Sequence, residues 1–233
     1  CPIGKYSCDK PLSDSMASSG IGPAIIEFSP DLTTKKKKGV HRPIYAEIFS
    51  KKLVQGKPAK VIHLMVNPFS GKKNGEKIAG QASAIFEENG ISVSMHLSTY
   101  SGELIHIAAG LSTDESDIVA VVGGDGSLSE VVTGLMQVGN KCRVGLIPAG
   151  TGNSMANDLR IKSTEDAVAR ICAGHYQMLD LAKVDMVAGL PGSEGGELTR
   201  YSANLVTWGL GVDSTIKAEK MRWMGPMRYD VGI

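Results

Sequence analysis

The sequence predicts an α/β fold: a doubly wound parallel sheet followed by the beginning of a truncated β-rich domain. Three observations carry that expectation. Between Lys60 and Gly174, short apolar runs alternate with segments whose apolar residues recur at helical spacing. Three of the four strand-like runs end in glycine-rich turns. After Gly174 the alternation stops, and two strand-like segments flank a glycine-rich link.

The elements follow in order. "VIHLMVN" (61–67) reads as a buried strand. "GEKIAGQASAIFEENG" (75–90) sets Ile78, Ala82, Ile85 and Phe86 on one helical face and stops at a glycine. "ISVSMHLS" (91–98) is a second strand, and Glu103 to Leu111 a second helix. "DIVAVV" (117–122) is a third strand, "SLSEVVTGLM" (127–136) a third helix and "CRVGLI" (142–147) a fourth strand. Helix signals return after "PAGTGN" (148–153) and in "STEDAVARICAG" (163–174). "MLDLAKVDMV" (178–187) and "LTRYSANLVTW" (198–208) then read as a hairpin-like pair of strands. The expected division is a poorly patterned extension over 1–57, an α/β domain over 58–177, and the start of a β-rich domain over 178–233. Within the extension, "TTKKKKGVHRP" (33–43) is a basic solvated loop and 44–55 a short helix.

Composition narrows the partners. The 233 residues carry 25 Lys+Arg against 24 Asp+Glu, a net charge of +1 that gives no reason to expect nucleic acid. No apolar run approaches the roughly 18 residues that span a bilayer. The four cysteines, at 1, 8, 142 and 172, show no metal-ligand spacing and fit free thiols in a reducing compartment. The chain begins at Cys1 rather than Met and reads as a piece of a longer protein.

Open parallel sheets bind ligands beyond the carboxyl ends of their strands. "NPFSGKKNG" (67–75), "GGDGS" (123–127) and "PAGTGN" (148–153) all fall there. Glycines let main-chain N–H groups approach an anion, and helix N-termini add orphan donors. The first turn adds Ser70, Lys72 and Lys73. Neither the Walker A spacing nor G-x-G-x-x-G is present, so the loops imply a nucleotide held by another arrangement. A carboxylate among such glycines repels phosphate unless it has a task. Asp125 suits two: accepting a proton from an attacking hydroxyl, or holding Mg²⁺. Glu130 completes a Ser127-x-x-Glu130 capping box, so a structural role stands beside a functional one.

The set "NPFSGKK", "GGDGSLSEVVTGL" and "PAGTGN", in that order, resembles the catalytic domain of the diacylglycerol kinase and sphingosine kinase superfamily. "WGLGVD" followed by "AEKMRWMGPMRY" resembles the sphingosine kinase branch in particular, with ceramide kinases next. The resemblance implies a two-domain lipid kinase that uses ATP and Mg²⁺ to phosphorylate a lipid hydroxyl at a membrane surface. It also implies a cytoplasmic protein associated peripherally with membranes. The expected substrate is a sphingoid base, with ceramide or diacylglycerol as alternatives; the sequence leaves the oligomeric state open. Rival readings are an NAD kinase, which shares a "GGDG" turn, and a non-catalytic nucleotide-binding module.

Carried onto this chain, the resemblance makes Asp125 the general base. It assigns nucleotide contacts to Asn67, Pro68, Phe69, Ser70, Gly71 and Lys72, and more loosely to Ser98 and Thr99. It adds Gly123, Gly124, Gly126, Ser127 and Glu130, the turn Gly150, Thr151, Gly152 and Asn153, and two arginines, Arg222 and Arg228, that reach the phosphates. Asp213 and Thr215 fall where sphingosine kinases carry Asp-x-Asp to grip the sphingoid amine. Threonine at the second position supplies no charge, so Asp213 is the acid left for that task.

Overall fold

The computed structural model describes residues 25–29, 54–187, 196–204, 206, 210–221 and 227. Four strands form the parallel heart of the sheet: β3 (Val61–Val66), β4 (Ser92–Leu97), β5 (Ile118–Gly123) and β6 (Arg143–Pro148). Their spatial order is β4-β3-β5-β6, all parallel. β5 is buried along its whole length, as its unbroken apolar run demands. The chain leaves β3 toward β4 and then returns across β3 to β5. The topological switch point therefore lies between the carboxyl ends of β3 and β5.

Helices cover both faces, which makes the sheet doubly wound. On one face α2 (Gly75–Glu88) packs on β3, β4 and β5 and against α6 (Thr164–Ala173), which covers β6. On the other face α3 (Glu103–Ala109) lies against β3 and packs on α4 (Asp125–Gln137), which covers β5. Phe86 of α2 and Leu128, Val131 and Leu135 of α4 are buried, as their helical spacing requires. Ser163 caps α6 by accepting from the Asp166 N–H, and Gly174 ends it with φ +72°. Two short helical elements, α1 (Ser70–Lys73) and α5 (Ser154–Asp158), follow β3 and β6.

The sheet is larger than the sequence pattern implied. β1 (Ile25–Ser29) and β2 (Val54–Gln55), both within the segment read as an extension, join it with β7 (His175–Asp180). β1 runs antiparallel to β6 and parallel to β7, and β2 runs antiparallel to β7. Five residues in a Ser-, Gly- and Pro-rich stretch leave too little periodicity to announce a strand. Most of the expected short helix over 44–55 lies outside the described residues; its last two residues are β2. The single strand expected over 178–187 is in fact two. The chain leaves the large sheet at the buried Leu181, and β8 (Ala182–Val187) then pairs with β9 (Glu197–Ser202) as a separate antiparallel hairpin. β9 docks on α4. The last described helix is α7 (Leu210–Lys220). Among the described residues no helix is long and apolar enough to cross a membrane.

Candidate active site

The three glycine-rich turns meet at the switch point. After β3, the Asn67 Nδ2 donates to Ser127 Oγ (3.3 Å) and its Oδ1 accepts from the Phe69 N–H (3.0 Å). One side chain thus shapes its own turn and ties it to α4. The backbone turns left-handed at Gly71, Lys72 and Lys73 (φ 42°, 53° and 64°), and a side chain on Gly71 would collide with the Ala149 carbonyl oxygen. After β5, Gly124 faces Gly150 so closely that a Cβ on Gly150 would stand 2.5 Å from the Gly124 Cα. The Asn153 amide closes its own turn, accepting from the Gly150 N–H and donating to the Gly150 carbonyl, both at 2.8 Å.

Gly124 and Gly150 are thus glycines because the protein packs backbone on backbone there. Gly126 and Gly152 are different. Nothing lies within 4 Å of a Cβ built on Gly126, and only the Asp125 Oδ2, at 3.9 Å, near one on Gly152. No described residue accepts a hydrogen bond from the N–H of Gly126, Thr151 or Gly152. Open glycines with unspent donors at strand ends are what an anion such as phosphate requires.

Asp125 stands between these two groups. Its Oδ2 accepts from the Ser154 N–H (2.9 Å), and its Oδ1 from the Met155 N–H (2.9 Å) and the Asn204 Nδ2 (3.2 Å). The first two donors are the start of α5, so Asp125 occupies the N-terminus that the sequence reading offered to phosphate. Arg170 fixes the same helix beyond its other end, donating to the Leu159 carbonyl (2.9 Å) and the Arg160 carbonyl (2.8 Å) while paired with Asp166 (2.8 Å). An ionised carboxylate offers about four lone-pair directions. Oδ1 has spent both of its share and Oδ2 one, so the remaining capacity lies on Oδ2, the oxygen 3.9 Å from a Cβ built on Gly152.

The other expected residues are placed as follows. Ser70 and Ser127 are buried beneath the turns; Gly123 is walled by the Ser127 side chain. Pro68 is half-buried, and Phe69 and Lys72 stand exposed at the rim. Ser98 is buried and donates to the Val66 carbonyl through both N (2.9 Å) and Oγ (3.3 Å). Thr99 donates its N–H and its hydroxyl to Glu103, which holds that carboxyl below its ordinary range. The capping box does not form. α4 begins at Asp125, two residues early, and Glu130 instead accepts from the Gly102 N–H (3.1 Å) at the start of α3. Burial pushes the Glu130 carboxyl up, offset in part by the Gly102 and Leu104 N–H groups and by Arg200. Asp213 and Thr215 lie exposed on α7, and no described hydrogen bond ties Asp213 to the turns. Arg222 and Arg228 lie outside the described residues.

Sequence reasoning missed Asn204, Arg170 and Asp158. Asp158 ends α5, and its carboxyl is pushed up by burial and then by the charge of Asp125. Nothing in "YSANLVTW" sets Asn204 apart from its polar neighbours Ser202 and Thr207. Among the described residues no group of three His, Cys, Asp or Glu side chains suits a metal ion. Mg²⁺ is compatible with that, because it keeps water and phosphate oxygens as ligands and takes one or two protein carboxylates. Asp125 and Asp158 are the acids on hand.

The model of the diacylglycerol kinase catalytic domain matches residues 61–184, from β3 through the start of β8 and across all three turns. The chain belongs to this family. Among relatives of the diacylglycerol kinase catalytic family, Sphingosine kinase 1 of Arabidopsis thaliana is 31% identical over 202 residues, covering 82% of this chain and 40% of that protein. Diacylglycerol kinase of Bacillus subtilis is 32% identical over 148 residues, covering 63% of this chain and 48% of that protein. Ceramide kinase of Homo sapiens is 28% identical over 189 residues, covering 72% and 34%. The chain thus spans less than half the length of each of these members of the family.

Proposed function

We propose that the whole protein is an ATP-dependent lipid kinase that transfers the γ-phosphate to a lipid hydroxyl, a sphingoid base being the favoured acceptor. One observation supports this above the rest. Asp125 is held by three donors, with free capacity left on the Oδ2 that lies beside Gly152. A carboxylate in that setting accepts the proton of an attacking hydroxyl while the N–H groups of Gly126, Thr151 and Gly152 take phosphate oxygens. Bound Mg²⁺ would neutralise charge developing on the transferred phosphoryl group. Asn67, Ser127, Glu130 and the Gly102 turn keep the walls of the site in register. The β8–β9 hairpin and the chain after it are read as the start of a β-rich lipid-binding domain, which begins after β7 rather than at residue 178, and the acceptor is taken from a membrane surface by a peripherally associated protein.

The relatives' names divide between sphingosine, ceramide and diacylglycerol kinases, and the sphingoid reading rests on the "WGLGVD" and "AEKMRWMG" stretches. The test is labelled-phosphate transfer from ATP by the full-length protein onto sphingosine, ceramide and diacylglycerol in parallel micelles. Transfer onto sphingosine above the other two is expected. Asp125→Asn should lower kcat about 100-fold or more, with ATP affinity kept within a few-fold. Transfer to none of the three lipids, or full turnover in that variant, would refute the reading.

A further inference from the structure

We propose that Asn204 is a positioning residue for Asp125, through which the β8–β9 hairpin saturates one carboxylate oxygen and leaves the other as the proton acceptor. The proposal rests on reading Asp125 as the base. Asp125, Ser129 and Thr133 are spaced four apart and so form one line along α4. All three bond the hairpin strand or the residues that follow it. Ser129 Oγ donates to the Tyr201 carbonyl and Thr133 Oγ1 accepts from the Tyr201 N–H, each at 3.0 Å. Both main-chain groups of Tyr201 are therefore spent on the helix, which fixes β9 at that point. Three residues on, Asn204 reaches the Asp125 Oδ1 at 3.2 Å.

The consequence lies in how the two carboxylate oxygens differ. With Met155 N–H and Asn204 both on Oδ1, that oxygen is saturated and Oδ2 alone keeps a free lone pair. Without Asn204, each oxygen has one donor from α5. Each then keeps a free lone pair, and the proton acceptor is no longer confined to one position. Asn204 thus confines the free lone pair to the oxygen held by the Ser154 N–H. It also makes the geometry of the base depend on the hairpin being docked on α4.

A plain staple would make the same hydrogen bond, so the test separates positioning from docking. In the full-length protein, kcat, KM for ATP, the pH profile of kcat and Tm are measured with sphingosine and with diacylglycerol. The variants are Asn204→Ala, Asn204→Asp, Ser129→Ala and Asp125→Asn. Asn204→Ala is expected to lower kcat about tenfold or more, the scale of one hydrogen bond to a charged group, with KM for ATP almost unmoved. Asn204→Asp puts a second carboxylate beside Oδ1 and should shift the acidic limb of the profile upward by about one pH unit. Ser129→Ala loosens the hairpin and should lower Tm while leaving the limb in place. If Asn204→Ala costs no more in kcat than Ser129→Ala, or Asn204→Asp turns over with its acidic limb unmoved, the positioning role is wrong. Asp125→Asn distinguishes the two levels. Dead Asp125→Asn with normal Asn204→Ala overturns this proposal alone, whereas active Asp125→Asn overturns the base reading and this proposal with it.

Discussion

The two ends of strands β5 and β6 solve opposite problems. At their amino ends, side chains close every turn. Asp114 accepts from the Ser116 N–H (2.6 Å), Asp117 from the Asp114 N–H (2.9 Å), and Asn140 from the Cys142 N–H (3.0 Å). The buried Arg143 donates to the Lys57 carbonyl (2.8 Å), and Lys57 in turn pairs with Glu115 (2.5 Å). Even the thiol there is quiet, since burial pushes the Cys142 pKa up to about 12. At the carboxyl ends the turns are closed by backbone packed on backbone, and Gly126, Thr151 and Gly152 keep donors unspent. The same strands therefore end in a satisfied network on one side and an unsatisfied one on the other. Side chains spend the hydrogen-bonding capacity of the turns at the amino ends, and part of it stays unspent at the carboxyl ends.

Substitutions break this contrast in graded ways. Gly150→Val should have the largest effect, because the new side chain meets the Gly124 backbone, which cannot retreat as a flexible side chain would. A stability loss of about 1–3 kcal/mol is expected from overpacking, with ATP affinity down about tenfold or more. Denaturant melts and nucleotide titration read the two separately. Gly150→Val with unchanged stability would mean that the two turns do not touch as described. Arg143→Met acts on the other end. It leaves the Lys57 carbonyl without its buried donor and should cost about 1–3 kcal/mol, while kcat and KM of the folded enzyme stay as they were. A loss of turnover in proportion to stability would erase the distinction between the ends.

Glu130→Gln is the smallest and concerns pH. The folded-state pKa of Glu130 is raised above its ordinary 4.5 by burial. Its contribution to stability is therefore fully present below that ordinary value and is lost as pH rises through the raised folded value. The variant lacks this titration. Glutamine still offers an oxygen to the Gly102 N–H. Tm of the variant should therefore gain slightly on the wild type as pH rises from about 4 toward neutrality. A gap that moves the other way would contradict the burial of this carboxyl.

Much of this architecture was legible because it is local. Short apolar runs and apolar residues at a period of 3.6 announced β3 to β6 and the helices between them, and glycine-rich turns marked the strand ends that meet at the switch point. What stayed hidden is set by contacts far apart in sequence. Nothing near Gly150 says that Gly124 is its neighbour, so a packing glycine and an open one such as Gly152 look alike in the sequence. Glu130 sits three residues after Ser127 and reads as a capping box, yet Gly102 on another helix claims it. Asp125 was singled out for standing among glycines, but its duty as cap of α5 and its bond to Asn204 depend on chain that folds back from residues 154 and 204.

Nucleotide bound by the open glycine turns protects their backbone and not that of the opposite strand ends. Hydrogen–deuterium exchange of the full-length protein, with and without ATP and Mg²⁺, reads the main-chain amides at both ends of the same strands. Slowed exchange is expected in peptides covering 124–127 and 150–153, with no change in those covering 114–117 and 140–143. Protection at the amino ends, or none at the carboxyl ends under saturating nucleotide, would contradict the assignment of the open glycine turns to phosphate.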